Sequence, residues 1–148
     1  MECIMMTQKE RMEQELIYDP GDLEIMDEQG GYMDRLWEFN QLKPSQQREK
    51  QAYMKETFAQ CGENCYIELP FYANWGGKNI HFGDYVYANF NLTVVDDGEV
   101  YVGDRVMFGP NVRSRPQTIR LSRGCATVCS SITNPYISVK TYGLVQTA

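Results

Sequence analysis

Between residues 80 and 112 a branched aliphatic residue recurs every six positions, and this period constrains the fold more than any other feature of the chain. A glycine followed by an aspartate stands three residues after the first aliphatic position of each run, at Gly83 and Gly103. One inward aliphatic residue per hexapeptide is typical of a parallel β-helix, in which three hexapeptides complete a triangular turn. The period therefore predicts about two turns within residues 62–112. Its inward positions are Ile80, Val86, Leu92, Val100, Val106 and Val112.

The tripeptide Asp96-Asp97-Gly98 interrupts this period, and we interpret it as a turn or loop that projects from the β-helix. The single histidine of the chain, His81, follows the inward Ile80. Because neighbouring residues of a strand face opposite sides, we expect His81 to point outward and to be an ordinary surface residue.

The residues before the β-helix have the pattern of helices and predict a small α-helical cap over residues 1–61. Thr7 and Glu10 have the spacing of a capping box at the start of a first helix. A second helix is predicted through LEIMDEQGGYMDRLWEFN, and a third begins after Pro44 and ends at Gly62. The residues expected to be buried at the end of the second helix are Leu36, Trp37 and Phe39.

Charge and cysteine usage argue against several classes of function. A net charge of −6 disfavours binding to nucleic acid or to an anionic membrane, which requires a basic surface. No apolar run approaches the roughly 20 residues of a membrane span, and the N-terminus does not resemble a secretory signal. We therefore expect a cytoplasmic protein. The five cysteines lack the spacing of a metal site, although Cys61 and Cys65, or Cys125 and Cys129, could lie one helical turn apart.

The composition changes abruptly after Val112. All 20 acidic residues precede that point, and residues 113–148 carry basic residues but no acidic ones. The six-residue period also stops there. A domain boundary rarely removes one class of side chain completely, whereas a change of reading frame does so easily.

The string LPFYANWGGKNIHFGDYVYANFNLTVVDDGEVYVGDRVMFGPNV, together with ELIYDPGD and LWEFN nearer the N-terminus, carries a specific resemblance. Residues 7–112 resemble the galactoside and maltose O-acetyltransferases, which are hexapeptide-repeat enzymes. The resemblance implies a left-handed parallel β-helix preceded by a helical cap, and a homotrimer. It also implies acetyl transfer from acetyl-CoA to a sugar hydroxyl, with both substrates at the interface between neighbouring subunits and no metal.

Four positions match the acceptor site of that family: Asp19, Asn74, Asn89 and Asp97. The resemblance implies that Asp97 hydrogen-bonds sugar hydroxyls and that Asn89 contacts the acceptor. Asn74 stands where relatives have Ser or Asp, and Asp19 comes from the cap. The aromatic residues at 85–90 have two interpretations, a platform that stacks on a sugar or a surface of the turns that contacts other subunits.

The family's general base, a histidine shortly after GPNV, has no counterpart, and its place is taken near Ile119. The motifs of the later turns, which carry most contacts to CoA, are also missing from residues 113–148. Re-reading each codon one nucleotide earlier permits histidine at Ile119 and a hexapeptide phrase at residues 139–146. We therefore interpret residues 113–148 as a frameshifted, poorly ordered tail that does not belong to the family.

Without a base and most of the CoA site, we expect little or no turnover. A β-helix of about two turns also leaves strand edges unpaired, so we expect poor stability or aggregation. The alternative left open is a non-catalytic protein that binds a sugar or joins the oligomer of an intact relative.

Overall fold

The structure is a computed structural model that describes residues 6–14 and 16–114. Three helices come first: α1 (Gln8–Glu13), α2 (Leu23–Asn40) and α3 (Gln47–Thr57). Nine short strands follow, and they are β1 (Gln60–Cys61), β2 (Tyr66–Ile67), β3 (Phe71–Ala73), β4 (Ile80–Phe82), β5 (Tyr87–Ala88), β6 (Leu92–Val94), β7 (Val100–Val102), β8 (Met107–Phe108) and β9 (Arg113–Ser114). Of the tail predicted over residues 113–148, the structure describes Arg113 and Ser114, which form β9 of the β-helix. The rest of the tail, the position of Ile119 and the pair Cys125 and Cys129 lie outside the described residues.

Side chains cap the first two helices as local sequence predicts. The Thr7 hydroxyl accepts from the Glu10 amide at 3.1 Å, and the Glu10 carboxylate accepts from the Thr7 amide at 2.8 Å. This reciprocal pair is the predicted capping box. Asp22 caps α2 by accepting from the amide of Glu24 at 3.1 Å.

The strands form a left-handed parallel β-helix, which confirms the predicted fold class. Each turn contributes one strand to each of three parallel sheets. The first face contains β1, β4 and β7, the second face β2, β5 and β8, and the third face β3, β6 and β9. The described residues thus make three turns, one more than the six-residue period predicts. The inward residues of the added turn include Cys65 and Phe71, which are not branched aliphatic residues and therefore do not show the period.

The core lies inside the triangular turns. Five of the six periodic positions are at most 2% exposed, and Val112 is partly buried against the same core. A second inward residue lies two positions after the periodic one, as Phe82 does after Ile80. This alternation leaves the residue between them on the outer surface.

The glycine–aspartate pairs found in the sequence lie at the corner between the first and second faces. A Cβ on Gly83 would lie 2.2 Å from Asp104 Oδ1, so the next turn leaves no room for a side chain. The Asp104 carboxylate in turn accepts from the Asp84 amide at 2.7 Å, and Asp84 accepts from the Glu63 amide at 2.8 Å. The carboxylates thus satisfy corner amides of the turn before.

The cap packs onto the first turns and completes the core. Leu36 and Phe39 of α2 and Met54 of α3 belong to the same buried cluster as the turns. Trp37 does not, because it is 66% exposed, and its predicted burial is wrong. The core-facing stripe of α2 includes residues 36 and 39, which turns position 37 toward solvent.

The third helix ends earlier than predicted. It stops at Thr57, and the Gly62 amide donates to the Phe82 carbonyl at 3.1 Å. Gly62 therefore belongs to the β-helix. Cys61 lies in β1 and the buried Cys65 follows it, so the two thiols are not on a helix. Among the described helices, none has the length and apolar character needed to cross a membrane.

Candidate functional site

The outer surface of the third face carries a groove of about 460 Å³. Tyr72, Thr93 and Arg113 are register partners on β3, β6 and β9, and all three line the groove. Because their neighbours in each strand point inward, these three side chains form one row on the outside.

Asn74 and Asp97 continue this outer surface past the ends of the strands. The inward and outward alternation persists beyond β6, since Val94 and Asp96 are buried whereas Val95 and Asp97 are not. The Asn74 side-chain amide donates to Asp97 Oδ1 at 3.1 Å. The structure thus brings together two of the four predicted site residues, beyond the ends of β3 and β6.

Asp96 has the opposite environment from its neighbour Asp97. Its side chain is 0% exposed. Its two carboxylate oxygens accept from the Trp75 amide at 2.7 Å and from the Gly77 amide at 2.9 Å. Burial raises the pKa of Asp96 to about 6, although the two backbone donors oppose this shift. The predicted projecting loop is therefore partly incorrect, because the first residue of the tripeptide points into the fold.

The segment between β3 and β4, which we call the 74–79 loop, is held by the cap as well. Gln29 of α2 donates to the Asn74 carbonyl at 3.1 Å, and the Tyr53 hydroxyl of α3 donates to the Gly76 carbonyl at 2.8 Å. Lys78 pairs with Glu28 at 2.7 Å. These contacts fix the backbone that carries Asn74.

Lys78 also lies over two aromatic rings. Its ammonium is 5.1 Å from the ring centroids of both Tyr32 and Trp75. Glu28 binds Lys9 of α1 at 2.7 Å through its other oxygen. The cap helices and the loop therefore share one network of charges and rings.

The segment before α2 brings Tyr18 near Asp97. Partial burial raises the pKa of the Tyr18 phenol, and the negative charge of Asp97 raises it further. The neutral hydroxyl is therefore favoured beside that carboxylate. Asp19 follows directly, and its carboxylate accepts from the Gly21 amide at 2.8 Å. This contact closes the turn at Pro20 and leaves the exposed Asp19 with one oxygen free of that bond.

Asn89 and His81 lie on other faces. Asn89 follows β5 on the second face, and its side-chain oxygen accepts from the Phe90 amide at 2.8 Å. His81 points outward from β4 on the first face, where it pairs with Glu99 and stacks on Tyr101. The predicted outward position of His81 is confirmed, because Ile80 and Phe82 on either side of it are buried. Its ring is held on the outer surface by Glu99 and Tyr101.

Three residues of the site could not be singled out from sequence. Tyr72 is an exposed aromatic residue two positions before Asn74, and Tyr18 lies within the ELIYDPGD segment. Their nearness in sequence to the predicted site residues Asn74 and Asp19 is a weak indication that they belong to the site. Asp96 offered none, because an acidic pair before glycine is typical of a turn. Of the aromatic residues at 85–90, Tyr85 and Phe90 are exposed, and Tyr87 stacks on Tyr66 along the second face.

The turns from Gln60 to Ser114 do not by themselves supply the phosphate contacts of an acetyl-CoA site. The phosphates of CoA require cations or clustered amide donors. From Gln60 to Ser114 the cations are Lys78, Arg105 and Arg113, and Lys78 is paired with Glu28. No group of three or more histidine, cysteine or acidic side chains that could hold a metal occurs in the described ranges.

Comparison with known proteins assigns the family. Residues 11–62 match the family model described as the maltose acetyltransferase hexapeptide capping motif. A galactoside O-acetyltransferase of Lactococcus lactis subsp. lactis (strain IL1403) is 49% identical over 102 residues, which cover 69% of this chain and 49% of that protein. The chain spans about half the length of the curated relatives it matches.

Two solved structures share the fold. A galactoside acetyltransferase in complex with coenzyme A has 36% identity and a TM-score of 0.69, and the match covers 76% of this chain and 56% of that one. A maltose O-acetyltransferase from Clostridium difficile 630 has 26% identity and a TM-score of 0.69, with 73% and 57% covered. With its capping motif, its three-faced β-helix and these relatives, the chain belongs to the galactoside and maltose O-acetyltransferase family of hexapeptide-repeat proteins.

Proposed function

We propose that this protein is by descent an acetyl-CoA-dependent O-acetyltransferase of a sugar hydroxyl, that the outer surface of its third face binds the sugar, and that turnover is lost with the missing histidine. The observation that carries the proposal is the hydrogen-bonded pair that Asn74 and Asp97 form beyond the ends of β3 and β6. Membership of the family supports the reaction and the co-substrate. A cytoplasmic location is part of the same proposal.

The pair has the chemistry to bind neighbouring hydroxyl groups. The bond from Asn74 to Asp97 Oδ1 leaves the other carboxylate oxygen and the side-chain oxygen of Asn74 as acceptors, and the second hydrogen of the Asn74 side-chain amide as a donor. A sugar hydroxyl both donates and accepts, and a bond to a carboxylate is among the stronger hydrogen bonds. Tyr18 supplies a neutral hydroxyl near the same carboxylate, and Tyr72 offers an exposed ring on which an apolar sugar face could stack.

Sugar binding is the first test. Titration calorimetry with galactosides, maltose and glucose should detect binding to the full chain. Asp97→Ala should weaken it by about 10-fold or more, as expected for loss of a hydrogen bond to a charged group. Asp34→Ala removes an exposed carboxylate of α2 and should leave the affinity unchanged. Equal affinities of the two variants would refute the role of Asp97.

Turnover is a separate question because the base is missing. A sugar hydroxyl attacks a thioester well only when a positioned base takes its proton, which contributes about 10²–10⁴-fold. The only histidine of the chain is His81, and its ring is held on the first face by Glu99 and Tyr101. We therefore expect acetyl transfer at the level of a blank. Acetylated sugar detected by mass spectrometry would refute this expectation.

The position of the histidine also favours a second candidate function, a sugar-binding protein without catalysis. Sugar binding with no turnover supports it. Sequencing the DNA that encodes residues 105–148 separates the two candidates. A nucleotide gained or lost near the codon of Arg113 would restore a histidine at the position of Ile119 and favour the enzyme.

We further propose a homotrimer in which each site is shared. Asn89 follows a strand of the second face and Asp97 follows a strand of the third face. In a ring of three triangular molecules, the second face of one subunit can meet the third face of the next, which would place both side chains in one cleft. Refolding a mixture of Asn89→Ala and Asp97→Ala chains should then produce some sites with the wild-type affinity for sugar, whereas each variant alone binds more weakly at every site. No recovery would refute the shared site.

A further inference from the structure

Asp96 clamps the backbone immediately after Asn74. One carboxylate oxygen accepts from Trp75 and the other from Gly77, and the Asn79 side chain donates to the Asp96 carbonyl at 2.8 Å. A fully buried carboxylate with two backbone donors fixes both ends of this short segment. The side chain does not reach the outer surface, because it points to the opposite side from Asp97.

We propose that Asp96 is the positioning residue of the sugar site, whose carboxylate keeps Asn74 within hydrogen-bond distance of Asp97 by fixing the backbone from Trp75 to Gly77. This inference rests on the proposed sugar binding at Asn74 and Asp97. Asp96 itself does not touch the sugar. It acts through the 74–79 loop.

The clamp depends on the charge of Asp96. Both oxygens accept hydrogen bonds in the ionised form, whereas a protonated carboxyl carries a hydrogen on one oxygen that faces a backbone N–H. Protonation therefore weakens one of the two loop bonds, because the hydroxyl oxygen of a carboxylic acid is a poorer acceptor than a carboxylate oxygen. Burial raises the pKa of this carboxyl to about 6, so the weakening falls within a range where the protein can be studied.

The charged and titratable groups around Asp96 do not replace the clamp. Asp97, the next residue, adds a negative charge that raises the pKa of Asp96. Tyr53 of α3 approaches from the cap, and burial raises the pKa of its phenol well above its ordinary value, so the phenol stays neutral. Lys78 of the loop is bound to Glu28. Within the described residues, Asp96 has no ion-pair partner.

The fluorescence emission of Trp75 reports on the conformation of the 74–79 loop. The chain has two tryptophans, and Trp37→Phe removes the exposed one. In that background, emission from the buried Trp75 should change with a midpoint near pH 6. Adding Asp96→Asn should abolish the titration and give the acid-form spectrum already at pH 7.5. A titration that persists in Asp96→Asn would overturn the proposal.

Two controls make the result specific. Asp84→Asn neutralises another carboxylate that accepts from a backbone amide, at the corner rather than the loop, and should leave the Trp75 titration unchanged. If Asp96→Asn fails to fold, hydrogen exchange of the wild-type chain answers the same question. After correction for intrinsic rates, amides 75–77 should lose protection between pH 7.5 and pH 5.5, and amides 85–88 should not. Equal protection at both pH values would overturn the proposal.

Sugar affinity then tests the positioning role. At pH 7.5, Asp96→Asn should weaken binding by about 2- to 10-fold, the effect of one hydrogen bond, and the wild-type affinity should fall to that level near pH 5.5. If the wild type binds no sugar at pH 7.5, the proposed function fails, and the Trp75 titration still decides whether Asp96 holds the loop. A variant that binds as tightly as wild type at both pH values would overturn the positioning role alone.

Discussion

Asp96 is buried although its neighbour Asp97 is not, and this burial makes the stability of the protein depend on pH. Burial raises the pKa of Asp96 from its ordinary value of 3.8 to about 6. The folded state therefore binds this proton more tightly than the unfolded state does. Asp96 contributes stability that is fully present below pH 4 and is lost as the pH rises through about 6. A shift of about two units corresponds to about 3 kcal/mol.

Asp96→Asn should remove this dependence on pH. The free energy of unfolding of wild type minus that of the variant should increase by about 2–3 kcal/mol between pH 7.5 and pH 4. At pH 7.5 the lost charged hydrogen bond and the removed cost of burying a charge oppose each other, so the two proteins should differ little. Urea unfolding at several pH values measures both, and parallel curves would contradict the prediction.

Glu28 shows the opposite sign. Hydrogen bonds from Lys78 and then Lys9 lower the pKa of Glu28, so its contribution is present above its ordinary value near 4.5 and is lost as the pH falls below it. Glu28→Gln should cost about 1 kcal/mol at pH 7, because solvent screens these partly exposed pairs. Glu56→Gln breaks a 3.7 Å pair whose carboxylate side chain is 70% exposed and should cost less than about 0.5 kcal/mol by urea unfolding. Equal costs would show that the network around Lys78 adds nothing.

At the scale of single residues, the sequence predicts which side chains have suitable functional groups better than it predicts their burial and their contacts. The sequence singles out Asp97 because it lies in a motif, and its role in binding stays a prediction beside the observed hydrogen bond from Asn74. Nothing local distinguishes Asp96, since its burial arises from the packing of the 74–79 loop, which is remote in sequence. Tyr18 was missed for the same reason, because its approach to Asp97 depends on how the cap folds over the turns.

At the scale of elements, the stacked corners make one glycine necessary and leave another replaceable. A Cβ on Gly62 would lie 2.3 Å from the backbone oxygen of Gly83, whereas a Cβ on Gly103 meets no described atom within 4 Å. Gly62→Ala should therefore destabilise the protein by about 3 kcal/mol, since the backbone above cannot move aside. Gly103→Ala should be neutral or stabilising by up to about 1 kcal/mol through the unfolded state. Thermal unfolding of both variants tests the contrast, and a similar loss in both would contradict it.

Elements whose signal is local were predicted well, and those set by packing were not. The capping box at Thr7 and the length of α2 follow from neighbouring residues. The end of α3 does not follow from neighbouring residues. The chain soon after Thr57 forms β1, which pairs in the first face with β4, about 20 residues away. The first turn was not counted for a related reason. Its inward Cys65 and Phe71 fill the space under the cap rather than repeat an aliphatic motif.

At the scale of the whole molecule, the cap and the turns share one core. The predicted division into a cap over residues 1–61 and a β-helix over residues 62–112 lies near the change from helices to strands, although β1 (Gln60–Cys61) and β9 (Arg113–Ser114) fall outside the predicted β-helix. The buried cluster, however, runs without a break from Phe39 and Met54 to Phe108. One continuous core should unfold as one cooperative unit. The predicted poor stability concerns the end of the β-helix away from the cap, where β7, β8 and β9 are the last described strands of their sheets.

Phe58 joins the two parts. Its ring is 5.2 Å from that of Phe82 and 5.8 Å from that of Phe71, and it is 5% exposed. Phe58→Ala should cost about 3–5 kcal/mol in the free energy of unfolding, because it removes a buried aromatic side chain that packs the end of α3 onto the first two turns. Phe90→Ala makes the same change at a ring that is 50% exposed and should cost less than about 1 kcal/mol.

The two probes of unfolding separate a shared core from two independent domains. Far-UV circular dichroism follows mainly the helices of the cap, and Trp75 emission in Trp37→Phe follows the turns. With one core, Phe58→Ala should move both transitions together to the same lower urea midpoint, because the cap cannot stay folded once the surface beneath it is lost. With two domains, the transitions would separate as the contact weakens. The turns would then unfold at their own midpoint, and the cap would unfold earlier.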